Sequence, residues 1–316
     1  MNKTFRHISS AVLGIVVFLF WWLFYPYALS FQEQNQLFLF TWDYFSERIS
    51  LSGGLADYIA EFITQFSYIP YLGEALLAVV FVIFQKAIAL SIDRDEWYVL
   101  SFVAPVMMLV YMSDIYVMLS YLVALIAAVL LCALYRRHPG LIWAGIATVL
   151  GYWLIGPAIF VFTLFAVIRE RNCKSLILIA LSVIVVVASR LTYLQQYPWK
   201  TVIFGINYYR LPITVPAIQL IIAGVTALIP AFSDLLPKPR RILDISLGLL
   251  ILAGGTVGCW MNYEKDVVEL IAYDQMVRNE DWDGILERAE KYQPDSELGS
   301  VSVNLALFMS GRGNEL

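Results

Sequence analysis

Charge is what this sequence has least of. Asp, Glu, Lys and Arg make up 15% of its 316 residues, where a soluble domain carries about 25%. Apolar residues reach 60%, so the chain as a whole does not read as a water-soluble globule. The net charge of −4 leaves no basic face to neutralise phosphates, and nucleic acid is not expected among its partners. Histidine is nearly missing: His7 and His138 both sit beside basic residues. That removes most Ser-His-Asp, Cys-His and histidine–metal chemistry. Cys132, Cys173 and Cys259 lie far apart and none belongs to a CxxC pair. Neither a disulfide framework nor a zinc site is indicated, and no metal or other cofactor is expected.

What the sequence has instead is apolar runs, several near or beyond the roughly 18–20 residues that span a bilayer. They cover residues 11–29, 71–91, 97–112, 115–135, 141–168, 175–192, 212–232 and 242–260. The pattern predicts an all-α polytopic transmembrane helical bundle of about nine membrane segments, one of them a short hairpin. Residues 1–261 are read as the transmembrane domain and 262–316 as a polar, acidic tail. The first run carries Trp21, Trp22, Tyr25 and Tyr27, residues that favour a membrane interface. Ala28-Leu29-Ser30 passes for a signal-peptidase site. The run is longer than a signal core of about 7–15 residues, so it reads as a retained helix.

Residues 30–72 are the longest polar interruption before the tail. They hold Glu33, Asp43, Glu47, Asp57 and Glu61 against a single Arg48. After Ser52-Gly53-Gly54, Leu55, Ile59, Phe62, Ile63 and Phe66 recur at helical spacing, with Asp57, Glu61 and Gln65 as a polar stripe. This predicts an amphipathic helix on the membrane surface or against the bundle.

Residues 141–168 decide the topology, because Gly151, Gly156 and Pro157 interrupt them. One long helix would put its ends on opposite sides of the membrane; a hairpin folded at Gly156-Pro157 would put them on the same side. With the hairpin, Lys3, Arg6, Lys86, Arg94, Arg136, Arg137, Arg169, Arg171, Lys174, Lys238, Arg240 and Arg241 share one side. Only Arg48, Arg190, Lys200 and Arg210 fall on or near the other side before the tail. The positive-inside rule therefore favours the hairpin, with the N-terminus cytoplasmic and the tail extracytoplasmic. The arms are short for a hydrocarbon core about 30 Å thick. The turn is expected below the outer surface, buried in protein or facing a watery cavity.

The tail reads as helix, turn, helix, with Tyr273, Ala289 and Pro294 at the aromatic, small and proline positions of a repeat. It resembles a tetratricopeptide repeat, a pair of helices, although Leu270 and Trp282 stand where small residues are usual. A further repeat would start near Glu297, so a truncated product or a fragment of a longer protein is expected. Otherwise the tail must dock on the bundle. The segments Gln32-Glu33-Gln34-Asn35-Gln36-Leu37-Phe38 and Ser52-Gly53-Gly54-Leu55-Ala56-Asp57-Tyr58, with the tail, make the chain resemble a family of bacterial polytopic membrane proteins with extracytoplasmic helical-repeat tails. That family is uncharacterised and implies no activity. The layout is also distantly similar to GT-C-type glycosyltransferases, which have many spans and often a catalytic carboxylate just after the first. No Asp-Asp, Asp-Glu or His-Pro-Asp motif supports that second likeness.

The transferase likeness implies a lipid-phosphate sugar donor. Arg190, Lys200 and Arg210 would hold its phosphate. Glu33, or next Asp43, would take a proton from the acceptor. Trp42, Tyr44, Trp199, Tyr208 and Tyr209 would form sugar platforms. Each has a plainer reading: Arg190 snorkels to headgroups, the carboxylates are solvated or cap helices, and the aromatics anchor the interface. A different class is a non-catalytic envelope scaffold whose tail binds a partner protein. A transporter would need a buried carboxylate relay or an inverted repeat, and the spans show no evident sign of either. The partners expected are membrane lipid, with either a lipid-phosphate sugar or an envelope protein bound by the tail.

Overall fold

The computed structural model describes residues 3–205, 217–294 and 296–313. Among these residues all regular structure is helical. Eight stretches are long and apolar enough to cross a membrane: Lys3–Phe24, Leu72–Ile92, Asp95–Met112, Leu119–Arg137, Leu141–Glu170, Cys173–Leu191, Ala217–Leu235 and Ile242–Met261. Helix α1 (Lys3–Phe24) is followed by three short helices, α2 (Ala28–Gln34), α3 (Trp42–Ile49) and α4 (Gly54–Thr64). Then come α5 (Leu72–Ile92), α6 (Val103–Met112), entered through a 3₁₀ stretch, and α7 (Leu119–Arg137). Helices α5 and α7 form the centre. Phe81, Phe84 and Ile88 of α5 and Leu122, Leu125 and Val129 of α7 are buried in one core with Trp21 of α1.

The interrupted run is a hairpin. Helix α8 (Leu141–Ile155) and helix α9 (Ile159–Glu170) are joined by a single 3₁₀ turn, Gly156–Ala158. Thr148 and Thr163 are hydroxyl to hydroxyl at 3.2 Å, whereas fifteen residues of straight helix would separate them by about 22 Å. The rings of Trp143 and Phe162 lie 5.6 Å apart across the same pair. The turn is possible because Gly156 adopts φ 67°, ψ −155°, a region that is glycine's almost alone. Gly156, Pro157 and Ala158 are all buried, so this backbone is enclosed by protein.

The ends of the helices confirm that the hairpin returns to the side it left. Arg136, at the end of α7, is ion-paired with Asp93 beyond α5 and with Asp234 beyond α12 (Ala217–Phe232). Arg169, at the end of α9, shares Asp234. Arg94 donates to the carbonyls of Ser233 and Leu236, and Arg6 of α1 pairs with Asp95. The starts and ends that carry the basic residues therefore meet at one end of the bundle. At the opposite end, Gln32 donates to the Ile115 carbonyl between α6 and α7 at 2.7 Å.

Helices α10 (Leu176–Leu191) and α11 (Trp199–Phe204) pack beside the hairpin, and α13 (Arg241–Met261) lies along α6 at the periphery. Three tail helices follow: α14 (Lys265–Arg278), α15 (Trp282–Lys291) and α16 (Glu297–Met309). Asp281 caps α15 through Gly284 N–H at 3.0 Å, and Ser296 caps α16 through Gly299 N–H at 3.0 Å. Tyr273, Ile285, Leu286, Ala306 and Leu307 form the small core between them. The tail docks on the bundle: Val268 and Ile271 of α14 enter the main core, and Gln34 of α2 donates to Gln275 at 3.1 Å.

Replacing Gly156 by Ala forces a β-carbon into this backbone conformation, 3.4 Å from the Gly53 Cα. The expected loss is about 1–3 kcal/mol, read as a lower Tm of the detergent-solubilised protein. An unchanged Tm would show that the turn is not conformationally constrained.

Candidate functional site

The segment 50–54 is folded over the hairpin turn. The last carbonyls of a helix have no partner within it, and three donors answer that need and lock the two segments together. Ser52 Oγ donates to the Tyr152 carbonyl at 2.6 Å and Gly53 N–H to the Trp153 carbonyl at 2.8 Å. In return the Trp153 indole donates to the Ile49 carbonyl at 2.8 Å. On the other flank, Tyr152 donates its hydroxyl to the Val202 carbonyl of α11 at 2.7 Å.

Helix α4, which leaves this lock, is amphipathic the opposite way round from a surface helix. Ala56, Asp57, Ala60, Glu61 and Thr64 are buried, and the helix packs on α7, α3 and α8. Ile59 and Phe62 point outward, at 39% and 40% exposure. Asp57 and Glu61 are each 5% exposed. The expected helix is present, and Asp57 and Glu61 of its polar stripe are buried.

A desolvated carboxylate needs partners. Glu61 has them in α3: the Arg48 guanidinium at 2.8 Å and the Tyr44 hydroxyl, which donates at 2.6 Å. Arg48 also donates to the Tyr44 oxygen at 2.7 Å, and its guanidinium lies 4.8 Å from the centre of the Tyr44 ring. Burial, and then the hydrogen bond to the Glu61 carboxylate, push the Tyr44 hydroxyl up to about 12, so it remains a neutral donor. The triangle depends on a close approach. A β-carbon on Gly54 would fall 1.7 Å from the Arg48 carbonyl oxygen, so only glycine lets α4 start against the end of α3. Phe38 packs on Tyr44, Tyr58 and Phe62 around it, and Leu37, Phe40 and Trp42 form an exposed apolar rim.

The candidates read from the sequence are not assembled into one site. Glu33 is half-buried on α2, and desolvation raises its carboxyl above the usual range. Asp43 is exposed in the first turn of α3, where a negative charge favours the helix dipole. Trp42 is exposed and packs on Phe45 at 5.5 Å. Arg190 is half-buried at the end of α10 with its guanidinium 5.6 Å from the Trp199 ring centre. Trp199 is 46% exposed and Lys200 is exposed on α11. Tyr208, Tyr209 and Arg210 lie outside the described residues. Among those described, no hydrogen bond or ion pair joins Glu33 or Asp43 to Arg190 or Lys200. Asp114 orders its own turn by accepting from Tyr116 N–H at 2.9 Å.

Sequence reasoning missed the Tyr44–Arg48–Glu61 triangle and the burial of Asp57. The signal available was the pair Ala56 and Ala60 beside the carboxylates, since small residues mark the face on which helices approach closely. Among the described residues no three His, Cys, Asp or Glu side chains converge as a metal ion would require. A small cavity of about 10 Å³ beneath α2, bordered by Gln32, Thr64 and Ser67, has room for roughly one water.

Helical throughout, with apolar stretches long enough to span a bilayer and ionisable side chains shut inside its packing, the chain is a multi-pass membrane protein in architecture. It belongs to the Family of unknown function (DUF6057), which it matches over residues 2–316. No curated protein and no solved structure matches it.

Substituting Arg48 by Met leaves Glu61 buried without its cation, and removing one partner of a buried pair costs about 3–5 kcal/mol. The Arg48→Met/Glu61→Leu double variant is expected to recover most of that loss. Thermal melts of the three proteins in detergent measure it; equal Tm values for wild type and the single variant would reduce the triangle to a surface contact.

Proposed function

We propose that this is a protein of the bacterial cell envelope, set in the cytoplasmic membrane with its N-terminus inside. Its bundle anchors the helical tail, outside, as a scaffold for an envelope partner. The observation that carries this reading is the outer face of α16. Leu298, Val301, Leu305 and Phe308 make one apolar stripe along it, with Phe308 74% exposed, while Ser302, Ala306 and Leu307 on the other side are packed. An uncovered stripe on a polar tail marks a protein-contact surface, and tetratricopeptide-like stacking lays a further helix along such a face. The orientation is supported by the concentration of Arg6, Arg94, Arg136 and Arg169 at one end, the signature of a cytoplasmic face, with α14 packed at the other.

A second reading, a GT-C-like transferase using a lipid-phosphate sugar, is favoured by two groups near the outer face. Glu33 is desolvated, with a raised carboxyl, as a proton-transferring carboxylate would be. The Arg190 Nε is buried without an acceptor. Glu33→Gln removes a desolvated carboxylate, so it is expected to keep or slightly raise stability at neutral pH. Loss of sugar transfer from a polyprenyl-phosphate donor with Tm retained would establish this reading, and absence of transfer by wild type would remove it.

Two measurements test the scaffold. In chains keeping one cysteine, Ser300→Cys is expected to react with a membrane-impermeant maleimide in intact cells, and native Cys173 only after permeabilisation. The reverse pattern overturns the orientation. Val301→Glu and Phe308→Glu are expected to change stability by no more than about 0.5 kcal/mol, as exposed substitutions do. They are also expected to shift the protein from a larger complex to a single chain on native gels in mild detergent. A wild type that already migrates as a single chain overturns the scaffold.

A further inference from the structure

The geometry points to a binding site for one anionic phospholipid between α8 and α10, on the membrane half that carries the basic residues. A groove of about 900 Å³ runs there. Its walls are apolar: Ile142, Ile146 and Val149 come from α8, Ile177 and Leu181 from α10. At its mouth stand Cys173 and Lys174. From Leu141 to Leu150 it climbs nine residues of helix, roughly 13 Å, close to the half-thickness of a hydrocarbon core about 30 Å deep. The groove thus has the depth of one leaflet and the surface of an acyl chain.

The charge at the mouth selects the headgroup. At this end of the bundle Arg6, Arg136, Arg169 and Lys238 are each paired with an aspartate or glutamate. Arg137, Arg171 and Lys174, which flank the groove in the chain, have no ion pair among the described residues and are exposed. The nearby carboxylate, Glu170, accepts from the Tyr135 hydroxyl. An apolar slot capped by unpaired cations is complementary to a lipid that presents a phosphate above an acyl chain. A neutral side chain from a second copy would leave those cations unanswered. Gly145 keeps the slot open: a β-carbon there would already lie 3.4 Å from Leu181, and a longer side chain would occupy the channel.

The test uses the full chain in detergent, titrated with dioleoylphosphatidylglycerol or dioleoylphosphatidylcholine, with retained lipid counted by native mass spectrometry. Wild type is expected to keep one phosphatidylglycerol with about fivefold preference, the effect of a lysine on an anionic headgroup. Lys174→Gln, which removes the one cation among the groove's lining residues, is expected to cut most of that preference, while Lys238→Gln, at the same end but outside the groove, leaves it unchanged. Gly145→Leu is expected to remove both lipids. Equal retention of the two lipids by wild type, or full retention by Gly145→Leu, overturns the site. So does a two-chain mass that Gly145→Leu returns to one, which assigns the groove to self-association.

Discussion

Within a bilayer, backbone N–H and C=O groups can find partners only in protein, and the whole architecture turns on how one break in a helix meets that demand. The chain reverses at Gly156 inside the bundle. Pro157 has no N–H, so the Trp153 carbonyl at the end of α8 loses its helical donor. Gly53 N–H replaces it, and Ser52 adds a second bond to the Tyr152 carbonyl, which Gly156 N–H already serves. Because the turn is answered by residues from 50–54, the segment 30–72 becomes part of the bundle and does not float above it. Its helices α3 and α4 are then held where Arg48 and Tyr44 can reach Glu61.

The same reversal fixes the electrostatics. Two arms of 15 and 12 residues bring Arg169 back to Asp234, beside Arg136. A continuous helix would have carried Arg169 away from it. The basic residues that remain unpaired next to α8 and α10 and the ion pairs under α12 are both products of that fold-back, and they divide one charged face into a neutralised region and an anion-attracting one.

How much of this was legible follows from the kind of signal each feature leaves. The apolar runs and their breaks are one-dimensional, so residues 71–91 correspond to Leu72–Ile92 and the first arm to Leu141–Ile155 within a residue. The hairpin was legible because charge asymmetry integrates over the whole chain. The orientation of α4 was not. A polar stripe ordinarily faces water, and only Arg48 and Tyr44, supplied by a neighbouring helix, make the inward choice favourable for Glu61. Glu33, Asp43 and Arg190 were chosen for chemical type and position along the chain. Those criteria carry no information on distance, and the folded structure links none of the carboxylates to the arginine.

The lock between Ser52-Gly53 and the end of α8 joins residues about one hundred positions apart. During synthesis the segment 30–72 is complete long before its acceptors exist, and contacts of such sequence separation form late. The segment 30–72 is therefore fastened to the bundle by contacts that can close only once α8 has been made.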